Sequence, residues 1–123
     1  MSMLLVMLLL SDPMPTASAG EFATRLQTCA PASFGHPHPL MRGFRTTHTI
    51  VGMRDGACRY AQTVPGGMNM ECAFSDAGRN AFVGEFEAMA AGQLRTSSGD
   101  AKVWQDECEL VMPDGKRKPL SSP

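Results

Sequence analysis

The sequence predicts a small α+β domain: a four-stranded antiparallel sheet with two helices on one face, elements in the order α-β-β-β-α-β, held by two disulfides. Three observations carry that expectation. The central segment alternates apolar and polar residues between turn signals. The segments around Leu26 and Phe82 carry apolar residues at helical spacing. Four cysteines, Cys29, Cys58, Cys72 and Cys108, fall in a short chain with no Cys-x-x-Cys spacing, which favours paired bridges over a redox site or a zinc ribbon.

The chain opens on "MLLVMLLL" (Met3 to Leu10), an apolar run too short to span a bilayer. Prolines follow, then Ala17-Ser18-Ala19, the small-x-small pattern that precedes a signal-peptidase cut before Gly20. No Lys or Arg precedes the apolar run. Residues 1–19 are therefore expected to be a signal peptide, residues 20–112 the disulfide-stapled domain and residues 113–123 a disordered tail. A chain organised in this way is periplasmic or secreted, with no membrane span after cleavage.

Removing residues 1–19 takes away one acid, Asp12, and no base, so the formal charge of −1 rises to zero. A neutral domain lacks the basic excess of a nucleic-acid binder and the polybasic stripe of a membrane-surface helix. Lys116-Arg117-Lys118, flanked by prolines, reads as a solvated end.

Phe22, Leu26 and Cys29 recur at helical spacing, with Glu21 near the start and Pro31 beyond the end. "PASFGHPHPLMRG" has no usable period and reads as a connection. "FRTTHTIVGM" is β-branched, "RDG" (Arg54 to Gly56) is a hairpin signal, and "ACRYAQTV" returns. "PGG" (Pro65 to Gly67) turns the chain again, into "MNMECAF", with Met68, Met70, Cys72 and Phe74 on one face. Ser75 is a helix N-cap, Ala81, Phe82, Phe86 and Met89 form an apolar arc, and Gly92 is a stop. After the polar loop "QLRTSSGD", residues 101–112 return to alternation. Trp104, Cys108, Leu110 and Met112 share a face that Asp106 interrupts, and this is the expected fourth strand.

The three-residue turn also constrains the disulfides. It pairs Val64 with Met68, so Tyr60 faces Cys72 and Cys58 faces Phe74. Cys58 and Cys72 are then diagonal neighbours, roughly 7–8 Å apart, whereas bridged Cβ atoms lie about 3.5–4.5 Å apart. The 58–72 bridge is disfavoured; 29–58 with 72–108, and 29–72 with 58–108, both stay open.

Candidate chemistry is sparse. His36, His38 and Met41 offer imidazole and thioether ligands that suit copper or nickel, but no complete ligand set appears at a recognisable spacing, and a stiff, solvated loop is the preferred account. Met68 and Met70 serve as core filler. His48 sits mid-strand on the face opposite Thr47, Thr49 and Val51, where a surface histidine is expected. No Gly-x-Ser-x-Gly elbow is present. Glu85 and Glu87 do not share a helix face. Asp106, Glu107 and Glu109 read as an acidic, water-facing edge, with Asp106 marking a bulge or a buried partner. By subtraction the expected role is non-catalytic, without a cofactor: binding another envelope or extracellular protein, through a row drawn from Arg45, Thr47, Thr49, Arg59, Gln62 and Thr63. A copper or nickel binder using the His36/His38 loop and a small hydrolase pairing His48 with Asp106 or Glu109 are the rivals.

Overall fold

In the computed structural model, which describes residues 12–93 and 101–120, seven strands lie side by side in chain order across one sheet. The elements are β1 (Met14–Pro15), α1 (Ala19–Gln27), β2 (Ala32–Pro37), β3 (Arg45–Arg54), β4 (Ala57–Val64), β5 (Met68–Phe74), α2 (Asp76–Ala90), α3 (Ala101–Gln105), β6 (Cys108–Val111) and β7 (Arg117–Pro119). β1 runs parallel to β2, and every other neighbouring pair is antiparallel. The apolar run Met3–Leu10 and residues 94–100 of the expected polar loop lie outside the described residues.

The expected central meander is present. Asp55 and Gly56 both take positive φ, 53° and 79°, as a two-residue hairpin joining Arg54 to Ala57 requires. Gly66 and Gly67 do the same after Pro65, and the register beyond them pairs Val64 with Met68, Tyr60 with Cys72 and Cys58 with Phe74. Between Ile50 and Gly52 the register of β3 slips against β4, so Val51 is an extra residue at a bulge.

The helices obey their end signals. Ser18 accepts a hydrogen bond from the Glu21 amide at 3.1 Å and the Glu21 carboxylate accepts from the Ala17 amide, a reciprocal cap. Cys29 stands where a glycine often does, at φ 54°, and the Ala30 and Cys29 amides close back on the Arg25 and Leu26 carbonyls. Ser75 caps α2 through the Gly78 amide, and Gly92 closes it.

The expected elements need correction: the sheet has seven strands rather than four, and the described residues hold three helices rather than two. β2 occupies the stretch expected as a connection. Its Ala32, Phe34 and His36 do alternate toward the core, but Pro31, Gly35, Pro37 and Pro39 hide the period. Pro37, the last strand residue, is where a missing N–H is tolerated. β1 lies in the expected leader, with Thr16 N–H donating to the Ser33 carbonyl at 2.7 Å. Residues 101–112 are not one strand: the chain is helical to Gln105, turns at Asp106–Glu107 and only then extends. Trp104 and Cys108 are four apart, a spacing that fits a helix as well as alternation. β7 lies in the expected disordered tail, folded back by a turn at Pro113–Gly115 in which the Gly115 amide donates to the Met112 carbonyl.

Both helix stripes press on one sheet face. Phe22 of α1 sits 4.7 Å from Phe86 of α2, centroid to centroid, and also meets Phe34 of β2 and Tyr60 of β4. Phe82 of α2 packs on Tyr60 at 4.8 Å and Phe74 at 5.0 Å. Phe22, Leu26, Ile50, Cys58, Tyr60, Phe74 and Phe86 are almost wholly excluded from water, each contributing about 1.5–3 kcal/mol where large and apolar.

The disulfides are Cys29–Cys58 and Cys72–Cys108, one of the two schemes left open. The first ties the end of α1 to the sheet; the second joins directly opposed residues of β5 and β6. No cysteine is free.

Candidate functional site

The inner face of β2, β3 and β4 carries an unusual run of polar side chains. Alternation sends Phe34 and His36 of β2, Thr46, His48 and Ile50 of β3, and Tyr60 and Gln62 of β4 toward the helices. In the register Phe34 opposes His48, His36 opposes Thr46, and His48 opposes Gln62. His36 is thus diagonal to His48, within reach of a long ring.

These groups form one hydrogen-bonded chain. His36 Nε2 lies 2.9 Å from His48 Nε2. His48 Nδ1 lies 2.6 Å from the Tyr60 hydroxyl, which donates to Gln62 Oε1 at 2.8 Å. At the far end, His36 Nδ1 donates to the Pro37 carbonyl at 3.0 Å. Because Tyr60 gives its proton to Gln62, it accepts from His48 Nδ1–H.

The setting is dry. His48 is 4% exposed and Tyr60 1%. Burial first, then the neighbouring His36 ring, pushes the His48 pKa down to about 3. Burial likewise holds the Tyr60 hydroxyl well above its usual 10. Phe86 meets the His48 ring edge-on at 4.9 Å, and Phe34 stacks beside it. The expectation of a surface histidine at position 48 is therefore corrected: the bulge at Val51 lies beyond it, and His48 shares the inner face with Ile50.

The chain forms part of the wall of a half-open cavity of about 300 Å³ between the sheet and α2. Met70, Phe82, Phe86, Met89 and Trp104 supply its apolar lining, and Thr46 and Glu85 add polar groups. Trp104, the sole tryptophan, meets Phe82 edge-to-face at 4.7 Å. Its indole N–H is buried with no acceptor among the described residues, an arrangement that costs about 1–3 kcal/mol if left unmade.

The histidine loop divides. His36 joins the network. His38 borders the cavity, but its Nδ1 accepts from the Leu40 and Met41 amides, both at 3.0 Å, and so braces the turn. Met41 is 47% exposed. Among the described residues no group of three or more His, Cys, Asp or Glu could hold a metal.

The acids divide too. Asp106 is exposed in the turn after α3 and lines no part of the cavity. Glu107 accepts from the Ser75 amide at 3.1 Å, which makes it the partner that caps α2 from outside. Glu109 is not on an edge: β6 lies between β5 and β7, and Arg117 reaches both Glu109 and Glu71. Of the expected surface row, Arg45, Thr47, Thr49, Arg59 and Thr63 alternate onto the outer face, whereas Gln62 faces the cavity. Sequence reasoning missed Tyr60, Gln62 and Trp104 as a site. The turn assignment contained the signal, since it set Tyr60 opposite Cys72 and so on the face shared with Met68, Met70, Cys72 and Phe74.

No family model, no curated protein and no solved structure matches this chain.

Proposed function

We propose that the protein is a small exported, non-catalytic binding domain whose seat is the cavity between the sheet and α2. The buried Trp104 N–H, without an acceptor among the described residues, on an aromatic and methionine wall carries this reading. Such a wall takes a small apolar or planar group, and the indole N–H selects one bearing a hydrogen-bond acceptor. The group is either a free molecule or a side chain offered by an envelope or extracellular partner protein.

Two disulfides suit a compartment outside the reducing cytosol, periplasmic or secreted. Among the described residues no helix is long and apolar enough to cross a membrane. The low basicity of His48 favours binding over catalysis, because a general base works best with a pKa near the operating pH. Neither Asp106 nor Glu109 lines the cavity with it, which speaks for binding rather than for a hydrolase built on that pairing.

Trp104 is a built-in reporter. Titration with benzoate or phenylacetate, each an apolar ring with an acceptor, gives a saturable change in its emission, and Met70→Trp at the cavity wall, corrected for its added indole, abolishes the binding isotherm measured by calorimetry. No saturable binding, or binding that Met70→Trp leaves intact, overturns the proposal.

A further inference from the structure

The hydrogen bonds around His36 and His48 bring two imidazole nitrogens, Nε2 of each ring, to one position. His48 Nδ1–H is committed to Tyr60, and His36 Nδ1–H to the Pro37 carbonyl. In their neutral forms both rings then present an Nε2 lone pair, and these lone pairs meet at 2.9 Å. Two lone pairs at that distance repel unless a proton or a metal ion joins them. A half-turn of the Gln62 amide reverses the chain and places that proton on His48 Nε2, so in the metal-free protein an N–H···N bond joins the rings and a bound metal ion takes the place of its proton.

The outer partners are of the kind that metal-ligating histidines use. Each such ring holds its second N–H on an acceptor, which sets the tautomer and aims the free nitrogen. Here one acceptor is a backbone carbonyl and the other a tyrosine hydroxyl, itself fixed by Gln62. Neither ring can swing freely, since Phe34 and Phe86 pack against them.

The separation also selects geometry. With nitrogen–metal distances of about 2.0–2.1 Å, a tetrahedral ion needs its nitrogens roughly 3.3 Å apart. The observed 2.9 Å corresponds to an angle of about 90° at the ion. That is the cis angle of a tetragonal centre, the preference of copper(II) and nickel(II), with copper the tighter.

We propose that His36 and His48 form a cis two-imidazole seat for copper(II), opening on the cavity. With no third His, Cys, Asp or Glu grouped with them among the described residues, the ion keeps open positions that water or an acceptor-bearing ligand fills. The inference deepens the binding reading by assigning the cavity a cation as well as an apolar wall. It differs from the His36/His38/Met41 loop site, in which His38 Nδ1 is taken up by the Leu40 and Met41 amides.

The test uses the oxidised full chain, stripped with chelator and titrated with copper sulfate alone. Calorimetry gives one ion per chain, and the electron paramagnetic resonance spectrum is axial with splitting from two imidazole nitrogens. His36→Ala, at a half-buried position that tolerates change, weakens binding by about tenfold or more, and Tyr60→Phe by about tenfold through loss of the outer partner. Met41→Ala leaves it unchanged. Circular dichroism establishes that each variant is folded before it is compared, and His48→Gln is added where it folds. Absence of binding, splitting from a single nitrogen, or affinity that survives His36→Ala overturns the seat. Those results leave the Trp104 titration with benzoate standing, and a silent benzoate titration leaves the copper measurement standing, so the two proposals fail separately.

Discussion

His36 and His48 meet ring nitrogen to ring nitrogen at 2.9 Å, although the strand register pairs neither with the other: His36 opposes Thr46 and His48 opposes Phe34. The contact is diagonal across β2 and β3, and it places an imidazole pair where the rest of this sheet face is aromatic. From there the chain of contacts runs through Tyr60 to Gln62, so four polar groups on three strands act as one unit.

Acid weakens the metal-free fold through His48. Its folded pKa of about 3 lies below the ordinary 6.5, so between those values the unfolded chain binds a proton that the folded chain refuses. The stabilising contribution is complete above pH 6.5 and is lost as pH falls toward 3, at about 1.4 kcal/mol for each pH unit. Urea midpoints measured with chelator present fall steadily across that window, and His48→Gln flattens the slope. A slope that His48→Gln leaves unchanged contradicts the placement. Tyr60, raised by burial, acts at the other end: its share persists below pH 10 and is lost only above it.

Tyr60→Phe keeps the ring against Phe82 and Phe74 but removes the hydroxyl between His48 and Gln62. Two buried groups lose a partner with no cavity formed. The expected cost is about 1–3 kcal/mol in urea unfolding; a loss near zero means that the hydroxyl is dispensable.

Residues 14–19 are part of the folded body, through β1, the Thr16 bonds to Ser33 and the Ser18 cap. A chain that starts at Gly20 loses all three. It melts below one that starts at Asp12, and the cap alone accounts for about 1 kcal/mol. Amino-terminal sequencing of exported protein is expected to find Met14 retained. A mature chain starting at Gly20 with undiminished stability refutes this.

On β5 and β6, Glu71 and Glu109 stand directly opposite each other, a like-charge pair that Arg117 of β7 bridges at 3.0 and 3.6 Å. All three are about half exposed, so solvent screens them strongly. Arg117→Ala costs about 0.5–1 kcal/mol at low salt, and less at high salt. Chemical denaturation at two ionic strengths measures it, and an unchanged midpoint at low salt shows that the bridge contributes nothing.

What the sequence disclosed follows how local its signals were. Turns wrote themselves clearly: Asp55-Gly56 and Pro65-Gly66-Gly67 set the register that brings Tyr60 opposite Cys72, and that register disfavours the 58–72 bridge. The caps Ser75 and Gly92 were equally plain. Three added strands stayed hidden for separate reasons. β2 is proline-flanked, β1 is two residues long and borrows its hydrogen bonds from β2, and β7 exists because a turn folds the tail onto β6. The site stayed hidden because it is assembled by pairing. Nothing in the spacing of His36, His48, Tyr60 and Gln62 reveals that β2 joins the sheet, and once it is taken for a connection, His36 has no neighbour. His48 was misjudged because an ionisable residue between Thr47 and Thr49 ordinarily faces water.

The protonation of the two rings tests the account most directly. Long-range proton–nitrogen correlation spectra of the metal-free protein at neutral pH are expected to show His48 as a neutral ring held in a single tautomer, unchanged as the pH falls to about 5. A His48 ring that titrates near 6.5, or one in free exchange between tautomers, contradicts the buried network that forms part of the cavity wall and on which the copper seat depends.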